Sequence, residues 1–163
     1  MLVCCGLLAG HAEAHSTPDA TVSTIGSATV IPPVQQKSAH ERRQMLCLAL
    51  AIYHEARSER PEGQRAVGDV ILNRIHQTGQ TICQTVWRKD QFTWTEKSND
   101  ALKPHELLAW YAVQWTAIDM VQYNLPDVTY GATMFYNARF CHPNWRGEVT
   151  ARIGDHVFMR PSS

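Results

Sequence analysis

The sequence predicts a helix-dominated α+β domain with a small β-sheet at one side. Three observations indicate this class: two adjacent helical patterns in the first half, a long amphipathic pattern in the second half, and short strand-like stretches near the end. The chain has 163 residues, of which 44% are hydrophobic and 18% are charged. These values are typical of one folded domain with its own core.

The first 37 residues are expected to lie outside this domain. Residues 1–14 combine a short apolar stretch with Ala12-Glu13-Ala14, which is typical of a signal-peptide cleavage site. No basic residue precedes the apolar stretch, so the signal is predicted to be truncated at its start. Residues 15–37 are rich in Ser, Thr and Pro and contain no Phe, Tyr, Trp or Leu, which indicates a linker or an extended lead-in. The compact domain is predicted to comprise residues 38–163.

The first predicted helix begins with a capping box and ends in a carboxylate. Ser38 and Glu41 have the spacing at which both side chains bond free backbone N–H groups at a helix start, so a helix is expected from about Ala39 to Arg57. Its apolar face follows the spacing i, i+3, i+4, i+7 and consists of Leu48, Ala51, Ile52 and Glu55. A carboxylate therefore stands where the pattern calls for a core residue.

The next elements are two more helices. Pro61 and Gly63 indicate the start of a second helix, which is expected to end near Ile75 and to be followed by a loop over residues 76–81. The segment "ICQTVWR", residues 82–88, indicates a short third helix.

The second half of the domain is predicted to contain one long helix and several short strands. "QFTWT", residues 91–95, alternates aromatic and polar residues, which is typical of a short strand or an extended groove edge. A long helix is expected from Pro104 to Asn124, and "ATMFYN" and "HVFMR" are predicted strands. The apolar positions at helical spacing in the long helix are Leu107, Leu108, Tyr111, Ala112, Trp115, Ile118 and Val121.

Charge, hydropathy and cysteine content exclude several classes of protein. The net charge is zero with neutral histidines, so there is no basic excess for nucleic acid, and no apolar run is long enough to predict a membrane span. After removal of a signal containing Cys4 and Cys5, three cysteines remain. Cys83 and Cys141 are a candidate disulfide pair, whereas Cys47 in the first helix is expected to be a buried thiol.

Two chemical interpretations compete at "AIYHEARSE", residues 51–59. A zinc site of the H-E-x-x-H type needs a second histidine four residues after the first, but Ser58 stands at that position after His54. No metal or other cofactor is therefore predicted. The alternative is a single acid: a carboxyl group at the end of an apolar face loses hydration, which raises its pKa and suits it to donate a proton.

A structural interpretation of Glu55 stays open beside the catalytic one. At a frayed helix end, the side chain would point to water or pair with Arg57, Arg60 or Arg65.

Four segments, in order, resemble the SleB-type (spore-cortex-lytic) cell wall hydrolases. These segments are "LCLALAIYHEARSERPEGQRAVGDVILNRI", "TICQTVWRKDQFTWT", "GATMFYNARFCHPNW" and "IGDHVFMR", and the resemblance covers roughly Glu41 to Arg160. It implies a fold similar to lysozymes and lytic transglycosylases. It also implies cleavage of peptidoglycan glycan strands between N-acetylmuramic acid and N-acetylglucosamine.

The resemblance implies that Glu55 is the catalytic acid and base of a lytic transglycosylase, which forms a 1,6-anhydro product without a second carboxylate. A hydrolytic muramidase usually needs two carboxylates. Candidates for the second one are Glu59, Asp69, Asp90, Glu96 and Asp155. A further alternative is a peptidoglycan-binding module without turnover.

Other residues are assigned to the substrate groove or to its support. Gln91 and Trp94 are the better groove candidates of "QFTWT", because Phe92, also a candidate, suits core packing. The resemblance implies that Tyr136 orients Glu55 and that Asn137 is a backbone or substrate contact. Supporting roles are expected for Glu59 at the helix end, for Arg57, which would pair with Glu59 or Glu62 or line the groove, and for His156 beneath the site. The protein is expected to be an exported monomer, or one delivered by a phage, whose partner is peptidoglycan.

Overall fold

The computed structural model describes residues 37–98 and 102–162. The predicted signal peptide and nearly all of the predicted linker lie outside these residues.

Three helices form the first half of the domain. Helix α1 spans Ala39–Ala56, and its first turn contains the predicted capping box of Ser38 and Glu41. Helix α2 spans Pro61–Thr78 and helix α3 spans Ile82–Val86. Helix α2 is longer than predicted because it continues until Gly79, which adopts the left-handed conformation (φ 68°) that ends a helix.

The segment "QFTWT" is not a strand. Residues Thr93–Glu96 form one 3₁₀ turn, and the residues on either side of it, Phe92 and Lys97, have extended backbone angles. The prediction of a strand was wrong because burial of Phe92 and Trp94 is also satisfied by this turn. The adjacent side chains Gln91 and Phe92 are both buried, at 4% and 0% exposure, whereas a strand would direct them to opposite faces.

Helix α4 spans Leu107–Tyr123, as expected, but it presents a different face to the core. Its buried residues are Val113, Ala117, Ile118 and Met120. Leu108, Tyr111 and Trp115 of the predicted apolar face are 87%, 58% and 51% exposed. The face with the smaller side chains is buried because α4 lies close to α2. A Cβ atom added at Gly68 of α2 would stand 2.5 Å from the sulfur of Met120 in α4.

A three-stranded antiparallel sheet completes the domain. The strands are β1 (Met134–Asn137), β2 (Gly147–Ile153) and β3 (His156–Pro161), in the order β1-β3-β2. The first and third strands confirm the prediction. Strand β2 was not predicted, although residues 148–153 alternate polar and apolar side chains as a half-exposed strand does. It is an edge strand with an irregularity between Val149 and Ala151.

The hydrophobic core surrounds α1. Leu48, Ile52 and Tyr53 of α1 are fully buried, and the core continues into Val67, Val70 and Ile71 of α2 and into Phe135 and Phe158 of the sheet. Burial of each large apolar side chain stabilises the fold by about 1.5–3 kcal/mol. The fold class predicted from the sequence is therefore confirmed.

A disulfide joins α1 to α3, and it differs from the predicted pair. Cys47 bonds to Cys83 with a Cα–Cα distance of 5.3 Å. The prediction of Cys83 with Cys141 was wrong, as was that of a buried thiol at Cys47. The helical pattern showed that Cys47 is buried but not that α3 packs against it.

Among the described residues, no helix combines the length and the apolar character needed to cross a membrane.

Candidate active site

Glu55 lies in the last turn of α1 and is partly buried. Loss of hydration raises the pKa of its carboxyl group to about 7, while Trp94, Arg74 and Lys97 act in the opposite direction. A carboxyl group with this pKa is present in both protonation states near neutral pH, so it can either donate or accept a proton.

Trp94 lies beside Glu55. Its ring stacks on that of His54, with 4.4 Å between the ring centroids. It also stacks on the ring of Phe92, with 5.8 Å between the centroids. The buried indole N–H is close enough to Glu55 to lower the pKa of the carboxyl group. The two groups do not meet the geometry of a regular hydrogen bond, so the indole Nε1 has no such partner among the described residues. Trp94 therefore offers a donor that is aligned by packing rather than by another bond.

Arg74 of α2 supplies a buried positive charge near Glu55. Its Nε donates to the backbone oxygen of Thr133 at 2.8 Å, and its guanidinium carbon lies 5.6 Å from the ring centroid of Phe92. Burial lowers the pKa of Arg74 to about 10, and Glu55 counteracts this effect. At neutral pH, Arg74 is therefore charged and favours the ionised form of Glu55.

A cavity of 430 Å³ lies between α2, α3 and the sheet, and Arg74 connects it to Glu55. Its lining includes Arg74 and the predicted groove residue Gln91, together with residues that sequence reasoning had not assigned to the site: Gln77, Thr78, Gln80, Thr85, Arg88, Thr133, Met134, Trp145, Arg146 and Pro161.

Tyr136 lies at the edge of this cavity. It occupies the same face of β1 as the lining residue Met134, and its ring meets that of Trp145 edge-on, with centroids 6.1 Å apart. No hydrogen bond connects Tyr136 to Glu55 within the described part of the chain. Asn137 accepts a hydrogen bond from the backbone N–H of Arg139 at 2.9 Å, which shapes the turn after β1.

Phe92 does not reach the groove. Its side chain is 0% exposed and packs beneath Trp94 and Arg74. The prediction of a substrate contact was wrong for this residue, because the 3₁₀ turn directs its ring into the core. Trp94 is also buried, at 4% exposure, and only its N–H edge is directed toward Glu55.

Glu59 connects the end of α1 to the β2–β3 turn. Its Oε1 accepts from the backbone N–H of Asp155 at 3.3 Å and lies 3.4 Å from Nδ1 of His156. Burial lowers the pKa of His156 to about 4 and raises that of Glu59. The imidazole is therefore neutral at pH 7, and its contact with Glu59 is not an ion pair. A Cβ at Gly154 would stand 1.9 Å from Oε2 of Glu59, so this approach requires glycine.

Arg57 faces the start of α4 rather than the groove. Its Nε lies 2.7 Å from Oε1 of Glu106, and its guanidinium carbon lies 5.2 Å from the ring centroid of Tyr53. The predicted pairing with Glu59 or Glu62 was wrong, because α1 ends at Ala56 and turns Arg57 toward α4. The hydroxyl of Tyr53 accepts from the backbone N–H groups of His105 and Glu106, which secures the same junction.

Arg74 was missed by sequence reasoning, although its signal is the same as that of Glu55. In α2 the spacing i, i+3, i+4, i+7 contains Val67, Val70, Ile71 and Arg74, just as the corresponding stripe in α1 ends in Glu55. Because the buried stripes of α1 and α2 both end in a charged residue, the sequence could have predicted that Glu55 and Arg74 belong to one site.

No cluster of histidine, cysteine and carboxylate side chains suited to a metal ion occurs among the described residues. None of the five candidate second carboxylates forms an ion pair or a hydrogen bond with Glu55 within residues 37–98 and 102–162, and none affects its pKa. Asp69, for example, accepts from the backbone N–H of Val128 at 2.9 Å, away from the cavity.

The chain is similar to known proteins in sequence and in fold. A family model described as Cell Wall Hydrolase matches residues 58–159. The chain is similar to the crystal structure of the catalytic domain of the Bacillus cereus SleB protein, with 27% sequence identity and a TM-score of 0.56; the match covers 83% of this chain and 99% of that chain. A comparison with curated proteins finds no match. The family match begins at Ser58, just after Glu55, so the assignment of Glu55 depends on its surroundings.

Proposed function

Because this chain belongs to the cell wall hydrolase family, we propose that it cleaves peptidoglycan glycan strands as a lytic transglycosylase. In this proposal, Glu55 is both the acid and the base, and no cofactor takes part. The bond that breaks joins N-acetylmuramic acid to N-acetylglucosamine.

The observation that carries this proposal is the environment of Glu55. Its carboxyl group is desolvated, its pKa is about 7, and its charged neighbours are the cations Arg74 and Lys97. A second catalytic carboxylate of a retaining glycosidase lies about 5–5.5 Å from the first and would raise its pKa further. The pKa of Glu55 shows no influence of another carboxylate in the described chain, which favours chemistry with a single acid.

The reaction then proceeds through two proton transfers at one side chain. Protonated Glu55 donates to the glycosidic oxygen, and the bond to the anomeric carbon of the muramoyl residue breaks. The resulting carboxylate accepts the proton of the muramoyl 6-hydroxyl, whose oxygen bonds to the anomeric carbon. Glu55 recovers its proton, no water is consumed, and the products are a 1,6-anhydro-muramoyl end and a free 4-hydroxyl on N-acetylglucosamine.

Other residues assist these steps in the proposal. Arg74, Lys97 and the indole N–H of Trp94 stabilise Glu55 while it is ionised. Gln91 and Trp145 line the cavity and offer an amide and an aromatic face to a sugar, and Tyr136 contacts Trp145. Asn137, Glu59 and His156 hold the turns around the site. Since peptidoglycan lies outside the cytoplasmic membrane, the proposal also includes export.

Replacement of Glu55 tests the proposal. Glu55→Gln keeps the size of the side chain and removes the proton, so release of soluble fragments from purified peptidoglycan should fall at least about 100-fold. Glu62→Gln, at an exposed position in the first turn of α2, is the matched control and should retain activity. Circular dichroism verifies that both variants are folded.

Activity retained in Glu55→Gln would overturn the assignment of Glu55. A folded wild-type protein that binds peptidoglycan but releases no fragments would instead support a binding module.

A further inference from the structure

The cavity lined by Arg74 is strongly cationic. Arg74, Arg88 and Arg146 all contribute to its lining, whereas no aspartate or glutamate does. Arg88 lies close enough to Arg74 to lower the pKa of that guanidinium. Among the described residues, neither Arg88 nor Arg146 forms an ion pair. Three positively charged side chains therefore line this cavity, and no carboxylate side chain lines it with them.

Three polar atoms in the same lining have no partner. Nη1 of Arg74, Oγ1 of Thr85 and Oε1 of Gln80 are buried and make no hydrogen bond within the described part of the chain. The Arg74 and Thr85 side chains are 8% and 2% exposed. A buried polar group that lacks a partner is destabilising, so these three atoms are candidates for contacts with a bound ligand.

The chemistry of these atoms describes the missing occupant. Arg74 and Thr85 supply donors, which suit a carboxylate, and the exposed Arg88 and Arg146 add charge at the rim. Gln80 supplies an acceptor, which suits an N–H group. A carboxylate next to an amide N–H is the repeating feature of an acidic peptide.

We propose that this cavity binds a free carboxylate of the peptide stem carried by the muramoyl residue that is being cleaved. This inference rests on the proposed function and adds to it a preference for strands with acidic stems. Arg74 connects the catalytic acid to the proposed carboxylate site, because it interacts with Glu55 and also lines the cavity.

The test compares two substrates that differ only in charge. Glycan strands with native stems are prepared free of phosphate-bearing wall polymers, so that the stem is the only added anion. One portion is treated with carbodiimide and ammonia, which converts stem carboxylates to amides. Wild-type protein should show a KM about tenfold lower for native strands. In the double variant Arg88→Gln/Arg146→Gln, the ratio of the two KM values should fall to about one.

A matched control removes two exposed charges elsewhere. Arg43→Gln/Arg60→Gln alters residues outside the cavity and should keep the tenfold ratio. Equal KM values in the wild-type protein, or an unchanged ratio in Arg88→Gln/Arg146→Gln, would overturn the proposal.

Binding to the Glu55→Gln variant, measured by calorimetry with both strand preparations, separates this inference from the catalytic one. Tighter binding of native strands supports the anion site even if the wild-type protein cuts neither substrate, an outcome that would overturn only the proposed function. Equal binding of the two preparations contradicts the anion site.

Discussion

Glu55 is not the only carboxylate with an altered pKa, and its surroundings distinguish it. Burial also raises the pKa of Asp69, to about 6. Asp69, however, accepts from the backbone N–H of Val128 and lies near Asp127, so its partners belong to the fold. Glu55 has an unpartnered indole N–H and a buried arginine beside it, and this arginine lines the cavity. The combination of burial, an available donor and a buried cation favours a catalytic role.

The pH dependence of activity should follow the ionisation of Glu55. Because the acid step needs the protonated form and the pKa is about 7, kcat/KM should be constant well below pH 7 and fall about tenfold per pH unit above it. Initial rates of fragment release across pH 5–9 at low substrate measure this limb. A rate that rises through pH 7 would contradict an acid role.

The substitution Trp94→Phe provides a second test of the role of the Glu55 carboxyl group. The indole N–H lowers the pKa of Glu55, so its removal should move the falling limb to higher pH. Phe92→Leu serves as a packing control, since it perturbs the same cluster but leaves the N–H in place. An unmoved limb in Trp94→Phe would show that the indole does not act on the carboxyl group.

At the scale of elements, helices α1 and α2 bring opposite charges together. Each helix has a buried stripe that ends in a charged residue, Glu55 in one and Arg74 in the other. Glu55 was predicted because it ends the apolar stripe of α1. Arg74 was missed because an arginine near the C-terminal end of a helix is ordinarily assigned to the surface.

The disulfide between α1 and α3 should contribute to stability. Cys47 and Cys83 are 36 residues apart, and closure of a loop of that length stabilises a protein by about 3–4 kcal/mol. A reducing agent, or the substitution Cys83→Ser, should therefore lower the urea midpoint clearly. Cys141→Ser should leave the sensitivity to reductant intact. A midpoint that does not respond to reductant would contradict this disulfide.

Local patterns predicted elements better than they predicted faces. The capping box of Ser38 and Glu41 sets the start of α1 through bonds within a few residues, which a sequence displays directly. The buried face of α4 was wrong because large residues such as Leu108 and Trp115 were assigned to the core. Close packing against α2 at Gly68 selected a different face, and that contact is not local.

At the scale of the whole molecule, the site is assembled by contacts between distant segments. Arg74 of α2 bonds to Thr133 just before β1, and Glu59 bonds to Asp155 in the β2–β3 turn. These contacts set the sheet beside α2 and create the cavity between them. Glu55 could be predicted from the spacing within one helix, whereas the cavity, with Arg88 and Arg146 on its rim, depends on how three segments meet.

Analysis of the cleavage products tests the central claim, that Glu55 acts alone as acid and base, most directly. Purified peptidoglycan is digested in heavy-oxygen water and the soluble fragments are examined by mass spectrometry. A single acid without a water nucleophile predicts 1,6-anhydro-muramoyl ends, one water lighter than reducing ends and free of the heavy oxygen. Reducing muramoyl ends that carry the heavy oxygen would contradict the claim and indicate hydrolysis.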